Sequence, residues 1–525
     1  MDILGSRVFI CRCHPSADII RESIERDRAR SLLCPVFADA LVEEKRALYT
    51  TNVAVVSLQK NLGNGMNEMN DRKRHFLIVG AGISGTGAAD VLLRRRQDVL
   101  ISDEKIMKNH KQMAELQERG ARFSFGKQEP SLLAGIDTVI VSPVVPAENP
   151  LVRAAAEQHI PVISEIELAW RIAAAPILAV TGTNGKTTTT TLLGEMIHAS
   201  GRPGSAAGNI GISLSETAES VPENGLIAAE VSSFQLEFID QFRPKAAVIL
   251  NITPDHFERH HTMKEYIRVK SRIFENMRAG DRLLLNRQDP VSSGLAEKAL
   301  CPVSFINTEG PEREGAFLER GGLKLRMDGR EIPLCAAADI HLLGRHNMEN
   351  CLAAAYLAAA GGIDAGSIIQ ALRHFKGLPH RIEFVRNCGG ISYYNDSKAT
   401  NTDAAVKALE AFEKPVILIA GGHDKQTPLE DFMKTVRLHA KALILIGNAS
   451  GRFAEAARRA GISPVICAGE MNRAVEEARK LAGAGDVVLL SPACSSYDQY
   501  SCYEERGDHF KNIVTHISQS AEDQA

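Results

Sequence analysis

From His75 onward, short apolar runs alternate with glycine-rich turns and longer amphipathic stretches. Phe76-Leu77-Ile78-Val79 leads into Gly80-Ala81-Gly82-Ile83-Ser84-Gly85 and a helical stretch to Arg96. Val99-Leu100-Ile101-Ser102 ends on Asp103, and Thr138-Val139-Ile140-Val141 ends on Ser142-Pro143. A second block opens with Ile177-Leu178-Ala179-Val180. A third carries Pro415-Val416-Ile417-Leu418-Ile419-Ala420 and Val487-Val488-Leu489-Leu490. Strand, turn and helix in repetition predict an α/β protein of parallel sheets covered by helices. The expected division is three domains, at 74–164, 165–377 and 378–525, with Rossmann-like folds for the first and last. Residues 1–73 read differently. They hold a charged patch, Arg21-Glu22-Ser23-Ile24-Glu25-Arg26-Asp27-Arg28, and little strand signal, and are expected to be an extension outside the core.

Composition narrows the class. A chain of 525 residues is too long for one core. With 44% hydrophobic and 24% charged residues it is an ordinary globular sequence. A net charge of −3 gives no bulk reason to expect nucleic acid or membrane binding. No apolar run is long enough to span a bilayer, and the N-terminus lacks a signal-peptide layout, so a cytoplasmic protein is expected. The ten cysteines lack paired metal spacing. Cys11-Arg12-Cys13-His14 has no second pair to answer it.

The richest chemistry lies in Thr181-Gly182-Thr183-Asn184-Gly185-Lys186-Thr187-Thr188, between an apolar strand and a helix reaching about Ala199. Glycines admit phosphate oxygens to backbone N–H groups, and a helix start adds partial positive charge. Lys186 can reach terminal phosphates, and Thr187 offers a hydroxyl to Mg²⁺. Residues 182–188 are therefore the candidate ATP-binding loop, as against a glycine-rich turn with no ligand. One departure is informative: the first glycine of the usual phosphate-loop motif would fall at Val180.

The compact Gly-Thr-Asn-Gly-Lys-Thr form resembles that of the Mur ligases and the folylpolyglutamate synthetases, and further segments are similar to the Mur ligase family in order. In Gly208-Asn209-Ile210-Gly211 the resemblance implies that Asn209 helps hold substrate phosphate. It makes Glu230, in Glu230-Val231-Ser232-Ser233, and His256, in Asn251-Ile252-Thr253-Pro254-Asp255-His256, candidate metal ligands beside Thr187. Lys270 matches the lysine that most of these enzymes carry as a carbamate. A cationic lysine repels Mg²⁺, whereas the carbamate is an anionic oxygen donor. Without the surrounding motifs, a solvated lysine on an amphipathic helix would be the simpler reading. Gly344-Arg345-His346-Asn347-Met348-Glu349-Asn350 resembles the segment whose asparagines approach the nucleotide, although Asn347 also reads as a helix N-cap. Arg381, at the next domain junction, resembles the arginine that reaches ATP. The resemblance implies a central P-loop-type ATPase domain, ATP and two Mg²⁺ ions.

The segment Asp396-Ser397-Lys398-Ala399-Thr400-Asn401 resembles the D-glutamate-adding members of the family. The Asp-Tyr-Ala-His and Asp-Asn-Pro-Arg runs of other members are absent there. Ser491-Pro492-Ala493-Cys494-Ser495-Ser496, with Tyr503 beyond, is similar to the same enzymes. The resemblance implies ATP contact by Asp396, catalysis by Lys186, His256, Lys270 and Lys398, and D-glutamate binding by Thr400, Lys425, Ser496 and Tyr503. In the first domain, Gly80–Gly85 followed by Asp103 fits a dinucleotide fingerprint at the usual ~20-residue spacing. In these ligases the same layout binds UDP, and no redox site accompanies the fingerprint here. Gly82, Ile83, Ser84, Asp103, Ser142 and Asn209 are therefore the expected UDP-substrate residues. Val144 stands where the family's Ser-Pro-Gly has glycine. The implied partners are UDP-N-acetylmuramoyl-L-alanine, D-glutamate and ATP, handled by a monomer. A folylpolyglutamate synthetase would not explain the first domain, an oxidoreductase explains only residues 75–105, and a non-enzymatic P-loop module would not need the metal set. The resemblance spans about residues 74–515, and Met66 or Met69 is the expected start of the functional enzyme.

Overall fold

The computed structural model describes residues 73–107 and 109–517. The Cys11–His14 segment, the charged patch at 21–28 and Met66 and Met69 lie outside the described residues. The described residues carry three β-sheets.

Strands β1 (His75–Val79), β2 (Asp98–Asp103), β3 (Arg122–Phe125), β4 (Thr138–Val141) and β5 (Val162–Ser164) form a parallel sheet in the order β3-β2-β1-β4-β5. Strand order reverses between β1's two neighbours, so the Gly80–Gly85 turn opens into a crevice at the carboxyl edge, where α/β sheets bind ligands.

The central sheet runs from β6 (Ile177–Thr181), β7 (Gly204–Gly208), β8 (Leu226–Glu230), β9 (Ala246–Ile249) and β10 (Arg282–Asn286) to β11 (Val303–Asn307), β12 (Gly315–Glu319), β13 (Gly322–Met327) and β14 (Arg330–Ala336). Its order is β14-β13-β12-β11-β10-β9-β6-β8-β7. Because side chains alternate along a strand, Leu178 and Val180 of β6 enter one core with Leu192, Leu193 and Tyr356. Ile177 and Ala179 enter the opposite core with Ile166, Leu214 and Phe242. A strand buried on both faces reads as a near-continuous apolar run, and β6 does so up to its last residue.

The third sheet joins β15 (Glu383–Cys388), β16 (Ile391–Asn395), β17 (Val416–Gly421), β18 (Ala440–Ile446), β19 (Val465–Gly469) and β20 (Val487–Leu490) in the order β15-β16-β20-β17-β18-β19.

The fold is α/β with three sheets, as the sequence implies, but not all strands are parallel. β12, β13 and β14 pair antiparallel, as do β15 and β16. Arg320-Gly321 and Asp328-Gly329 turn the first two hairpins with positive φ at both positions of each pair. Such two-residue turns match the twist of the strands they join.

Candidate active site

β6 delivers its last residue, Thr181, to the loop 182–185, and the helix Lys186–Ala199 begins directly after it. Gly185 has φ +87°, and a Cβ there would lie 2.3 Å from Asn350 Oδ1, so only glycine fits. The first N–H groups of the helix have no intrahelical acceptor and can receive an anion. Lys186 folds back over the loop, its Nζ donating to the carbonyls of Gly182 (2.9 Å) and Thr183 (2.8 Å). Asn184 is braced rather than free. Its N–H donates to Asn251 Oδ1 at 2.8 Å, and its carbonyl accepts from Asn251 Nδ2 at 3.1 Å.

Register puts Val180 opposite Glu230, so β8 carries that carboxylate to the foot of the loop. Glu230 is buried. Oε1 accepts from Asn209 Nδ2 at 3.0 Å, while Oε2 is buried with no hydrogen-bond partner. An orphaned, buried carboxylate oxygen is costly unless a cation occupies the space before it. The donor set therefore fits a hard divalent ion.

Lys270 lies in the last turn of the helix Met263–Ser271, is 1% exposed, and donates to the same Gly182 carbonyl at 2.9 Å. Burial, with Lys186 beside it, holds its amine well below the ordinary lysine range. A neutral amine is the form that can take up CO₂. His256 lies in a left-handed turn (φ +54°) with its ring 5.0 Å from that of Phe234 and its side chain 43% exposed. Among the described residues no group of three or more His, Cys, Asp and Glu side chains is gathered as a metal site. The candidate set of Thr187, Glu230, His256 and Lys270 gains its second anionic ligand only if Lys270 is carbamylated.

The third domain closes over this loop. Asn184, Asn347, Asn350, Arg381, Asp396 and Lys407 line one cavity. The N-cap reading of Asn347 is corrected: Gly344 (φ +90°) is the N-cap of the helix Arg345–Ala360. Asn347 lies inside the first turn, donating from Nδ2 to the carbonyl of Leu343 at 2.7 Å and accepting from Asn350 Nδ2 at 3.1 Å. Gly344 takes the cap because its positive φ suits a residue without Cβ. Asp396 is buried between Ser491 Oγ (2.8 Å) and the Ile382 N–H (3.2 Å), and burial pushes its carboxyl up to about 6 against the pull of Arg381.

Lys398 enters the same field. Burial and then Arg381 depress its amine, while Glu230 acts to raise it. Lys186, Lys270, Arg381 and Lys398 thus share an electrostatic neighbourhood with the carboxylates of Glu230, Asp255, Asp396 and Glu504. Cationic side chains gathered at a helix N-terminus are an arrangement that can receive polyphosphate.

Of the four candidate amino-acid residues, Thr400, Lys425 and Ser496 sit on loops of the third domain and Tyr503 opens its last helix, Tyr503–Thr515. Lys398 Nζ lies 5.5 Å from the Tyr503 ring centroid, and the Thr400 N–H donates to the Lys398 carbonyl at 2.9 Å. Ser496 is buried on the loop after β20, and Lys425 is exposed on the loop after β17. Lys425 faces the second domain, where it adds to the pull of the backbone and His256 that holds the Glu258 carboxyl low.

In the first domain, Asp103 Oδ2 accepts from the Ala81 N–H at 2.7 Å and Oδ1 from the Lys105 N–H at 2.9 Å. The carboxylate thereby clamps the glycine turn. Ser142 Oγ donates to the Gly80 carbonyl at 3.0 Å, while Gly82 and Ile83 are exposed and Ser84 half-buried. Asp103 and Ser142 therefore hold the turn in shape, and Gly82, Ile83 and Ser84 present its surface.

Sequence reasoning passes over four groups. Asn251 and Asp255 stand within the motif that ends on His256, yet nothing local gives them a role. Arg506 is buried and donates to Ser397 Oγ (2.9 Å) and to the carbonyls of Ser397 (2.8 Å) and Cys494 (3.1 Å). It thereby ties the Lys398 loop to the Ser496 loop. The available signal is its place in Glu505-Arg506-Gly507, just beyond Tyr503. Asp403 reaches Asn184 from the third domain, a contact that no local pattern announces.

Three family models match the chain in order. Residues 74–164 match the Mur ligase MurD-like N-terminal domain, 180–358 the Mur ligase middle domain, and 380–494 the Mur ligase glutamate ligase domain. The chain belongs to the Mur ligase family. Within it, the chain is 41% identical over 449 residues to the UDP-N-acetylmuramoylalanine–D-glutamate ligase of Thermoanaerobacter pseudethanolicus, covering 85% of this chain and 98% of the relative. It is 42% identical over 443 residues to the enzyme of the same name from Pelotomaculum thermopropionicum, covering 84% and 97%. Two solved structures share the fold. A pseudomurein peptide ligase type C from Methanothermus fervidus has a TM-score of 0.56 at 19% identity, covering 85% of this chain and 100% of that one. UDP-N-acetylmuramate-alanine ligase from Thermotoga maritima has 0.52 at 20%, with the same coverage.

Proposed function

We propose that this protein joins D-glutamate to UDP-N-acetylmuramoyl-L-alanine at the expense of ATP. The observation that carries the reading is the position of Lys398. A lysine of the amino-acid domain stands in the electrostatic field of the phosphate-loop Lys186 and of Glu230. Phosphoryl transfer and amide formation can therefore share one place.

A carboxylate does not acylate an amine directly, because oxide is too poor a leaving group. One oxygen of the L-alanyl carboxylate attacks the γ-phosphorus, and the bond to ADP breaks. The neutral amine of D-glutamate then attacks the acyl carbon, the bond to phosphate breaks, and the amine's proton is lost. Lys186 and the helix N-terminus offset charge on the transferring group, which is the main catalysis open to phosphoryl transfer. Mg²⁺, when bound, would neutralise phosphate charge, with Thr187, Glu230, His256 and a carbamate on Lys270 as the residues that would hold it. Ile83 and its neighbours on the clamped first-domain turn would receive the UDP moiety.

D-Glutamate carries two carboxylates, and Lys425, Thr400 and Ser496 are the donors for them, with Tyr503 as a wall. Charge-assisted hydrogen bonds contribute roughly 1.5–3 kcal/mol each. Lys425→Ala or Ser496→Ala should therefore raise the KM for D-glutamate by about one to two decades, at ~1.4 kcal/mol per decade. The KM values for ATP and the UDP-sugar should hardly move. Steady-state phosphate release with each substrate varied in turn checks this, and equal rises in all three would contradict it. Among the described residues no helix is long and apolar enough to cross a membrane. The proposed setting is the cytoplasm, where ATP and a UDP-sugar are both available.

A further inference from the structure

Asp403 lies in the first turn of the helix Thr402–Leu409 in the third domain, where an acid is ordinarily a favourable partner for the helix dipole. Its Oδ2 instead reaches across the domain boundary. It accepts from Asn184 Nδ2 of the phosphate loop and from Thr253 Oγ1 at 3.3 Å, and Lys407 Nζ lies 3.3 Å from the same oxygen. A carboxylate beside a loop built to receive phosphates opposes anion binding, so its presence calls for a compensating role. Asn184 is already fixed to Asn251 through both its backbone groups, so a pull on its side chain is a pull on the whole loop. Lys407, one turn after Asp403, lines the cavity that also holds Arg381 and Asp396.

We infer that Asp403 is a positioning residue, a latch that holds the third domain closed on the phosphate loop through Asn184. The inference rests on the ligase reading of the site. The latch does not touch the nucleotide. It sets the distance between the central loop and the side chains that the third domain brings to it, chiefly Arg381, Asp396 and Lys398. Nucleotide affinity and domain closure are therefore coupled through the interdomain hydrogen bonds of one carboxylate, to Asn184 and to Thr253, with Lys407 screening the acid from the phosphates.

The sign of the effect separates this from a bystander charge. Removing a nearby negative charge that did nothing else would tighten ATP binding. Removing a latch weakens it. The test is calorimetric affinity for a non-hydrolysable ATP analogue with Mg²⁺, measured on the full chain for wild type, Asp403→Ala, Asp403→Asn, Asn184→Ala and the Asp403→Ala/Asn184→Ala double variant. Small-angle scattering of each reports closure. Asp403→Ala should bind the analogue roughly tenfold more weakly, the scale of one charge-assisted hydrogen bond, and should scatter as a more open particle. Asp403→Asn keeps an acceptor for Asn184 and should recover most of the affinity. The double variant should be no worse than Asp403→Ala alone, because that change already removes the Asn184 bond along with the one from Thr253. Affinity equal to or tighter than wild type in Asp403→Ala, or additive losses in the double variant, would overturn the latch. These readouts need no D-glutamate, so they stand apart from the ligase reading, which fails if the wild type forms no amide.

Discussion

Lys186→Ala should reduce ADP formation to background, a loss of at least about two to three decades. The residue stands at the helix N-terminus, its Nζ held 2.8–2.9 Å from two loop carbonyls, ready to swing onto a phosphate. In the transition state, negative charge spreads over the transferring group, and the loop 182–188 carries no other cation of its own. Arg381 and Lys398 approach from the third domain and cannot replace it at the loop. Binding of the UDP-sugar, measured by calorimetry without nucleotide, should survive within about twofold, because the Asp103-clamped turn belongs to a different sheet. Loss of UDP-sugar binding in Lys186→Ala would show that the two sites are not separate.

Lys270→Ala should cut turnover nearly as severely, and for an electrostatic reason of opposite sign. In the structure Lys186 and Lys270 donate to one carbonyl, that of Gly182. Two ammonium groups in a buried space repel each other, and burial disfavours the charge further. Carbamylation exchanges one of these charges for an anion and supplies the partner that Lys186 and a divalent ion would both accept. Alanine would leave a hole where those oxygens stood, so added formate or acetate should restore part of the rate. Kinetics in carboxylate-free buffer, then with millimolar formate, is the measurement. Normal activity without carboxylate would contradict the carbamate.

The phosphate loop is readable from the sequence because its chemistry is local. A strand, two glycines, Lys186 and Thr187 make it between Ile177 and Thr187, and each supplies a physical requirement of the site. Glu230 becomes a candidate only through the resemblance and the order of the motifs, since a carboxylate at the end of an apolar strand is more often a satisfied polar residue. Lys270 is legible only by resemblance, since nothing in its helix distinguishes a buried lysine from a solvated one. What sequence cannot supply is contact across domains. Asp403 follows a helix-capping asparagine and reads as an ordinary first-turn acid. Its bond to Asn184 depends on how two separately folded sheets meet. The hairpins at Arg320-Gly321 and Asp328-Gly329 escape the sequence pattern for a different reason. Their turn chemistry is visible, but a run of α/β units biases the reading toward parallel strands. The side chain of Asn347 suits a helix cap, and Gly344 displaces it through backbone conformation alone.

The central claim is the identity of the amino acid, and phosphate release with UDP-N-acetylmuramoyl-L-alanine, ATP and a panel of amino acids tests it most directly. The panel contains D-glutamate, L-glutamate, D-aspartate, L-lysine and meso-diaminopimelate. D-Glutamate should be used alone at a substantial rate. D-Aspartate, one methylene shorter, cannot engage Lys425 and the Lys398 side of the site at once, and L-glutamate presents its amine off the line of attack. Preference for L-lysine or meso-diaminopimelate would contradict the account and move the protein to a different amide bond.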